Sequence, residues 1–212
     1  PRFDRDPVFC SLIDNHAEDG DGELGKGFFG IELVGMTRCE QSYLDNTAIL
    51  SSVLSDDQGN AIEILDFAPR FVRYERFFRP PQLVRRIEPI AGLPRIAIRV
   101  RPTFGYGGKP TQVVVGSNHI RYVGESETLR VTTNAPVAYV AREAAFVVTQ
   151  PIVFVLGADE IFPADLEETS NRFEERTRGY WFQWCRNLSI PLEWQDAVLR
   201  SAITLKLSAY EE

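Results

Sequence analysis

The 212-residue chain is 44% hydrophobic and 25% charged with a net charge of −7, which suits a folded domain and gives no basic footprint for nucleic acid. The same charge disfavours an anionic membrane surface, and no apolar run approaches the length of a membrane span. Neither nucleic acid nor membrane is therefore expected as a partner.

Residue 1 is Pro and the single methionine is Met36, so a processed or truncated chain is expected. No signal-peptide pattern follows Pro1. Cys10, Cys39 and Cys185 are far apart and lack CxxC spacing. They are expected to be reduced, buried thiols of a cytoplasmic protein, with metal ligation or a catalytic thiol as the alternative.

In residues 1–14, Phe9, Leu12 and Ile13 fall at i, i+3 and i+4 after Asp6-Pro7, which fits one or two helical turns. Residues 15–27 form a polar, glycine-rich stretch. Asp19, Asp21 and Glu23 alternate there as in calcium loops, but the glycine at loop position 6 and the glutamate at position 12 are missing. A solvated turn is the better reading.

From 28 to 156 the pattern is β. Candidate strands are 28–34, 47–54, 61–67, 82–87, 95–101, 112–115, 119–123, 128–133, 137–141, 145–149 and 152–156. The clearest alternation is at 95–101. Ile96, Ile98 and Val100 point one way, while Arg95, Ala97, Arg99 and Arg101 point the other. One dry face and one wet face predict an antiparallel sheet. Short turn-rich gaps separate the strands and no long helical pattern interrupts them. Two packed sheets, a large antiparallel β-sandwich, are expected over 1–160.

Beyond Phe162 the period changes. Pro163 with Asp165, Glu167 and Glu168 marks a helix start, and Leu166, Phe173, Tyr180, Trp181, Trp184 and Leu188 recur near helical spacing. A linker helix is expected over 161–189, weakened by Gly179 by about 1 kcal/mol. Pro191 and Glu193 suit the start of a second helix over 190–212. Its stripe comprises Leu192, Val198, Leu199, Ala202, Ile203, Leu205 and Leu207. Glu211 and Glu212 are the wrong charge for a helix end and no cap residue follows, so the helix is expected to continue.

Few residues suggest chemistry. His16 and His119 are the only histidines and share no metal or catalytic spacing. There is no GxSxG elbow, and Gly105-Tyr-Gly-Gly108 does not match a phosphate-binding loop. Arg85, Arg86, Arg95, Arg99 and Arg101 are expected to share one wet sheet face. Trp181, Trp184 and Trp194 could stack on sugar, but on amphipathic helices they read as packing residues. No catalytic, cofactor-binding or metal-binding residue is assigned, and no cofactor is expected.

Several stretches, in order along nearly the whole chain, resemble glycoside hydrolase family 15, the bacterial and archaeal glucoamylase, glucodextranase and trehalase-like proteins. They are Pro1-Arg-Phe-Asp4 with Val8-Phe9, Gln41-Ser-Tyr43, Thr47-Ala-Ile-Leu50, Gly59 and Asp66-Phe-Ala-Pro69. A further block runs from Arg86 to Gly107 with Gly92, Pro102 and Tyr106-Gly107. The last has Trp181, Trp184, Trp194 and Val198-Leu-Arg-Ser-Ala-Ile-Thr-Leu-Lys-Leu207. Gly105 departs from the pattern, which commonly has Asp there. The resemblance implies an N-terminal super-sandwich, a linker helix and the first helix of an (α/α)6 barrel. It places the family's two catalytic glutamates beyond Glu212, so no residue here inherits their roles. The implied partners are the remainder of the barrel and an α-glucoside such as trehalose or a short α-glucan, with a homo-oligomer possible. A non-catalytic carbohydrate-binding or structural interaction domain is the alternative. It calls for an exposed aromatic row on a strand face, where Tyr122 and Tyr139 are the candidates.

Overall fold

The computed structural model describes residues 6–11, 26–106, 111–162 and 165–209. His16, the Asp19–Asp21–Glu23 stretch, Pro163 and Glu211–Glu212 lie outside the described residues.

In chain order the strands begin with β1 (Phe28–Leu33), β2 (Met36–Tyr43), β3 (Leu50–Asp56) and β4 (Ala61–Phe67). A small pair follows, β5 (Phe71–Arg73) and β6 (Arg76–Phe78), then β7 (Leu83–Ala91) and β8 (Arg95–Arg101). Next come β9 (Gln112–Val115), β10 (His119–Val123) and β11 (Thr128–Thr133). A short helix, α1 (Val137–Ala141), precedes β12 (Phe146–Val147) and β13 (Ile152–Ala158). Helices α2 (Leu166–Arg186) and α3 (Gln195–Ser208) follow.

The chain is mainly β. An eight-stranded antiparallel sheet has the order β2-β3-β4-β7-β13-β11-β10-β9, and a three-stranded one the order β1-β8-β12. Side chains from both sheets share one apolar core. Ile62, Ile64, Ile87, Phe154, Leu156, Val131 and Ile120 come from the large sheet, and Leu33, Ile96, Ile98 and Val100 from the small one.

The middle of the large sheet is dry on both faces. Along β4, Ile62 and Ile64 enter the first core while Leu65 and Phe67 enter a second. Along β13, Ile152, Phe154 and Leu156 alternate with Val153 and Val155 in the same way. The second core is capped by Leu166 and Phe173 of α2, so this helix covers the face opposite the small sheet. The run of apolar residues at 152–156 is the sequence trace of that double burial.

Helix α2 starts where the acidic residues place it. The Asp165 side chain accepts a hydrogen bond from the Glu168 backbone N–H at 2.8 Å, a regular N-cap. Gly179 does not interrupt it, and a side chain at that position would meet open space.

Three expectations are corrected. Residues 137–141 form α1 rather than a strand. Pro136 sets the preceding extended residue, and Val137 and Val140, three apart, are the two positions buried. Helix α3 begins at Gln195 rather than near Pro191, because Trp194 sits in the left-handed region at φ 62° and breaks continuity with Pro191. Finally, β2, β5 and β6 lie in segments where no strand was expected. β2 is exposed along its whole length, and β5 and β6 are three residues each, so none carries a long apolar alternation.

Candidate functional site

The five arginines expected on one wet face occupy three places. Asp66 continues the inward face of Ile62 and Ile64, and register puts Arg85 directly opposite it. Arg85 donates Nε–H and Nη2–H to the two Asp66 carboxylate oxygens at 2.6 and 2.8 Å. It also donates to the Phe29 carbonyl at 2.7 Å and lies 4.4 Å from the Phe29 ring centre, tying the two sheets together. Arg86, one residue on, faces the other way and meets Glu174 of α2 at 2.8 Å. Arg95, Arg99 and Arg101 stay on the small sheet, Arg95 exposed and the other two near Glu143, where Arg101 makes a bidentate pair at 2.7 and 2.8 Å.

The thiols are all free. Cys10 and Cys185 are buried as expected, but Cys39 is exposed, because its strand β2 is the uncovered edge of the large sheet. Burial raises the Cys185 thiol above its ordinary range, although Arg200 nearby pulls it down, and the net shift disfavours the thiolate. His119 sits at the start of β10 beside Asn118 at 3.0 Å. Its pKa is lowered by burial and then by the Arg130 and Arg121 charges. Hydrogen bonds from Asn60 hold Asp56 below the usual carboxylate range, and those from Arg121 do the same for Asp159. Both shifts favour the ionised form, the opposite of what a general acid needs. Among the described residues no cluster of three or more His, Cys, Asp or Glu forms a metal site.

Neither tyrosine named for a sugar-stacking row lies on an open strand face. Tyr122 is buried and donates its hydroxyl to the Val100 carbonyl at 2.8 Å, and Tyr139 is on α1.

Instead, several of the motif residues converge on a joint between the large sheet and the helices. Thr47, fully buried, closes the β2–β3 turn. Its backbone N–H and its hydroxyl both donate to the Leu44 carbonyl, at 3.1 and 2.8 Å, and its hydroxyl oxygen accepts from Ile49 N–H. This bend leaves two carbonyls pointing at the helices. The Cys185 thiol of α2 reaches Asn46 O at 3.5 Å, and Arg200 of α3 donates to Thr47 O at 2.8 Å. The Arg200 guanidinium also lies 4.0 Å from the centre of the Tyr43 ring.

Trp181, 1% exposed, is the hub, packing with Cys185, Ile203 of α3 and Ala48 of the turn. Trp184 stands edge-on to it at 5.6 Å. Arg70, following Asp66-Phe-Ala-Pro69, donates to the Tyr180 hydroxyl at 3.0 Å and stacks near Trp181. Trp181 and Trp184 are thus packing residues, as helical spacing suggested. Trp194 is 80% exposed.

Beside this joint lies a cavity of about 330 Å³ lined by Asn46, Phe182, Cys185, Arg186, Ile190 and Leu199. Ile203 is the one buried residue of α3, and Leu205 and Leu207 are exposed. The arrangement fixes the helices to the sheet and turns part of the apolar α3 stripe outward. Its polar groups are engaged in positioning, not aimed at a vacant reaction centre. Sequence reasoning missed the roles of Thr47 and Arg200. Only the matching stretches that contain them, Thr47–Leu50 and Val198–Leu207, pointed at them, because a buried threonine and a capping arginine leave no periodic signal.

No helix among the described residues is long and apolar enough to cross a membrane. No established family profile matches the chain, and no solved structure matches it. Among curated proteins, a trehalase from Thermoplasma volcanium is 23% identical over 219 residues, an alignment covering all of this chain and 33% of that protein. The chain spans about a third of the length of the curated relative it matches.

Proposed function

We propose that this chain is the N-terminal, non-catalytic β region of a family-15-type glycoside hydrolase, with α2 as linker and α3 as the first helix of the catalytic barrel. The observation that carries this is the similarity of the whole chain to one third of a trehalase. The succession of sheets, a long covering helix and a second helix with exposed leucines agrees with it. On this reading the joint at Thr47, Trp181 and Arg200 holds the barrel against the β region. The full protein hydrolyses an α-glucosidic bond, in trehalose or a short α-glucan. One glutamic acid protonates the leaving oxygen and a second activates water, their carboxyls roughly 6.5–9.5 Å apart so that the water fits between. Neither glutamate is assigned to a residue here.

The test is glucose release from trehalose, maltooligosaccharides and isomaltooligosaccharides by the natural full-length protein and by residues 1–212 alone. The full-length protein is expected to turn over at least one of them and the 212-residue chain none. Turnover by the short chain would overturn the division of labour. Inactivity of the full-length protein on every α-glucoside would overturn the reading itself.

A further inference from the structure

Residues 70–79, Arg-Phe-Val-Arg-Tyr-Glu-Arg-Phe-Phe-Arg, carry four arginines and one glutamate in a chain of net charge −7. They form the β5–β6 hairpin, whose register pairs Phe71 with Phe78, Val72 with Phe77 and Arg73 with Arg76. Two cations therefore stand opposite each other beside the turn, an arrangement that by itself destabilises a hairpin. Among the described residues no carboxylate pairs with either. The turn is Tyr74-Glu75 at φ 50° and 61°, the left-handed pair of a type I′ turn that Asn-Gly fills without strain.

The hairpin is nonetheless firmly mounted. Phe71 and Phe78 stack at 4.8 Å, and both pack against Phe173 of α2, at 5.5 and 5.3 Å. Its other face is open: Val72 is 57%, Phe77 60% and Tyr74, at the tip, 86% exposed. Exposed aromatics set among arginines are the composition of an interface centre, and backbone strain held in place by packing marks a functional element.

The complementary charge lies at the start of the same helix and in the segment just before it. Asp159, Glu160, Asp165, Glu167 and Glu168 occur within ten residues that hold no Lys or Arg. All five are exposed, and only Asp159 is ion-paired, to Arg121 and Arg130. The hairpin lies beside the Phe173–Tyr180 stretch. Five residues of helix, from Glu168 to Phe173, separate the acidic turn from the near end of that stretch, roughly 8 Å at 1.5 Å per residue. Two copies of α2 laid antiparallel about a two-fold axis bring each hairpin to the other's acidic turn, a self-complementary contact.

We propose that the β5–β6 hairpin is a self-association element. The acidic first turn of α2 in a second copy seats against Arg73 and Arg76, beside Tyr74 and Phe77. The contact is independent of which glucoside the protein takes.

Sedimentation velocity on the natural full-length protein tests this. In about 50 mM salt a dimer is expected, with a dissociation constant that rises at least about tenfold in 0.5 M salt. R73E/R76E and E167R/E168R, both confined to exposed positions, are each expected to be monomeric with unchanged circular dichroism. Mixing the two variants is expected to regenerate the dimer, because each then supplies the charge the other lacks. A wild-type monomer at tens of micromolar would overturn the proposal. So would a dimer insensitive to R73E/R76E, or two monomeric variants that fail to recombine.

Discussion

The difference that one residue step makes is plainest at Arg85 and Arg86. Neighbours in sequence, they emerge on opposite faces of β7, one between the sheets on Asp66 and the other under α2 on Glu174. A run of arginines suggests a single wet face only if the sheet has one, and this sheet is covered on both. Replacing Asp66 by Ala leaves a largely buried guanidinium without its carboxylate. It should cost about 3 kcal/mol, read as a shift in the urea midpoint. At Tyr74 and Glu75 the sign reverses. Y74N/E75G relieves two left-handed non-glycine residues and should stabilise the fold by about 1 kcal/mol in the same measurement. His119 supplies a pH dependence. Its folded pKa lies below the ordinary 6.5, so between the two values the unfolded chain binds more protons than the folded one. Its contribution is complete above about pH 6.5 and is lost as the pH falls through that window. H119Q should therefore show a smaller drop in urea midpoint between pH 7.5 and pH 5.5 than the parent. Equal drops would show that another group controls it.

Among the elements, those whose residues alternate or are rich in β-branched side chains were legible, the exposed β9 with its three valines included, and the polar edge strand β2 was not. β4, β8, β10 and β11 stand where alternation placed them, since a sheet face imposes its period on the sequence. β2 carries Arg38, Cys39, Glu40, Gln41 and Ser42 on an open edge, so nothing forces apolar residues into it. Val137-Ala-Tyr-Val-Ala141 reads as a strand by composition. Its burial three residues apart marks a helical turn, and only the packed structure reveals that spacing. The joint was legible as motif and not as mechanism: Thr47 and Trp181 stood inside the matching stretches, but that one closes a turn against the other cannot be read from their spacing. Trp181 is the side chain on which the sheet turn, α2 and α3 meet. Trp181→Ala should cost about 3–5 kcal/mol by thermal or chemical denaturation, the range for emptying a large buried aromatic site. Its effect should extend to α3, which loses its main contact surface.

For the molecule as a whole, the decisive feature is how unevenly the cores are shared. The first two lie on opposite faces of one eight-stranded sheet, so β4, β7 and β13 cannot leave one without opening the other. That coupling favours a single cooperative unit containing both sheets and most of α2. Helix α3 stands apart from it. It buries only Ile203, its N-cap residue Trp194 is left-handed and offers no side-chain cap, and the hydroxyls of Ser201, Thr204 and Ser208 bond back to carbonyls four residues earlier. Such back-bonding slightly weakens a helix, and an uncapped start leaves early N–H groups unsatisfied. The main ties are Ile203 against Trp181 and Arg200 to Thr47 O, with Leu199 half-buried at the edge. Native-state hydrogen exchange on residues 1–212 should accordingly show two levels: slow amides across β4, β7 and β13 that exchange together, and α3 amides that exchange faster by at least about a hundredfold. Arg200→Met removes the polar tie and should speed α3 further while leaving the strand amides at their original rates. In the full-length protein the same α3 amides should slow toward the strand values, because the proposed barrel covers Leu205 and Leu207. Fast α3 exchange in the full-length protein would mean that the exposed leucines stay uncovered and that α3 is not part of a packed barrel.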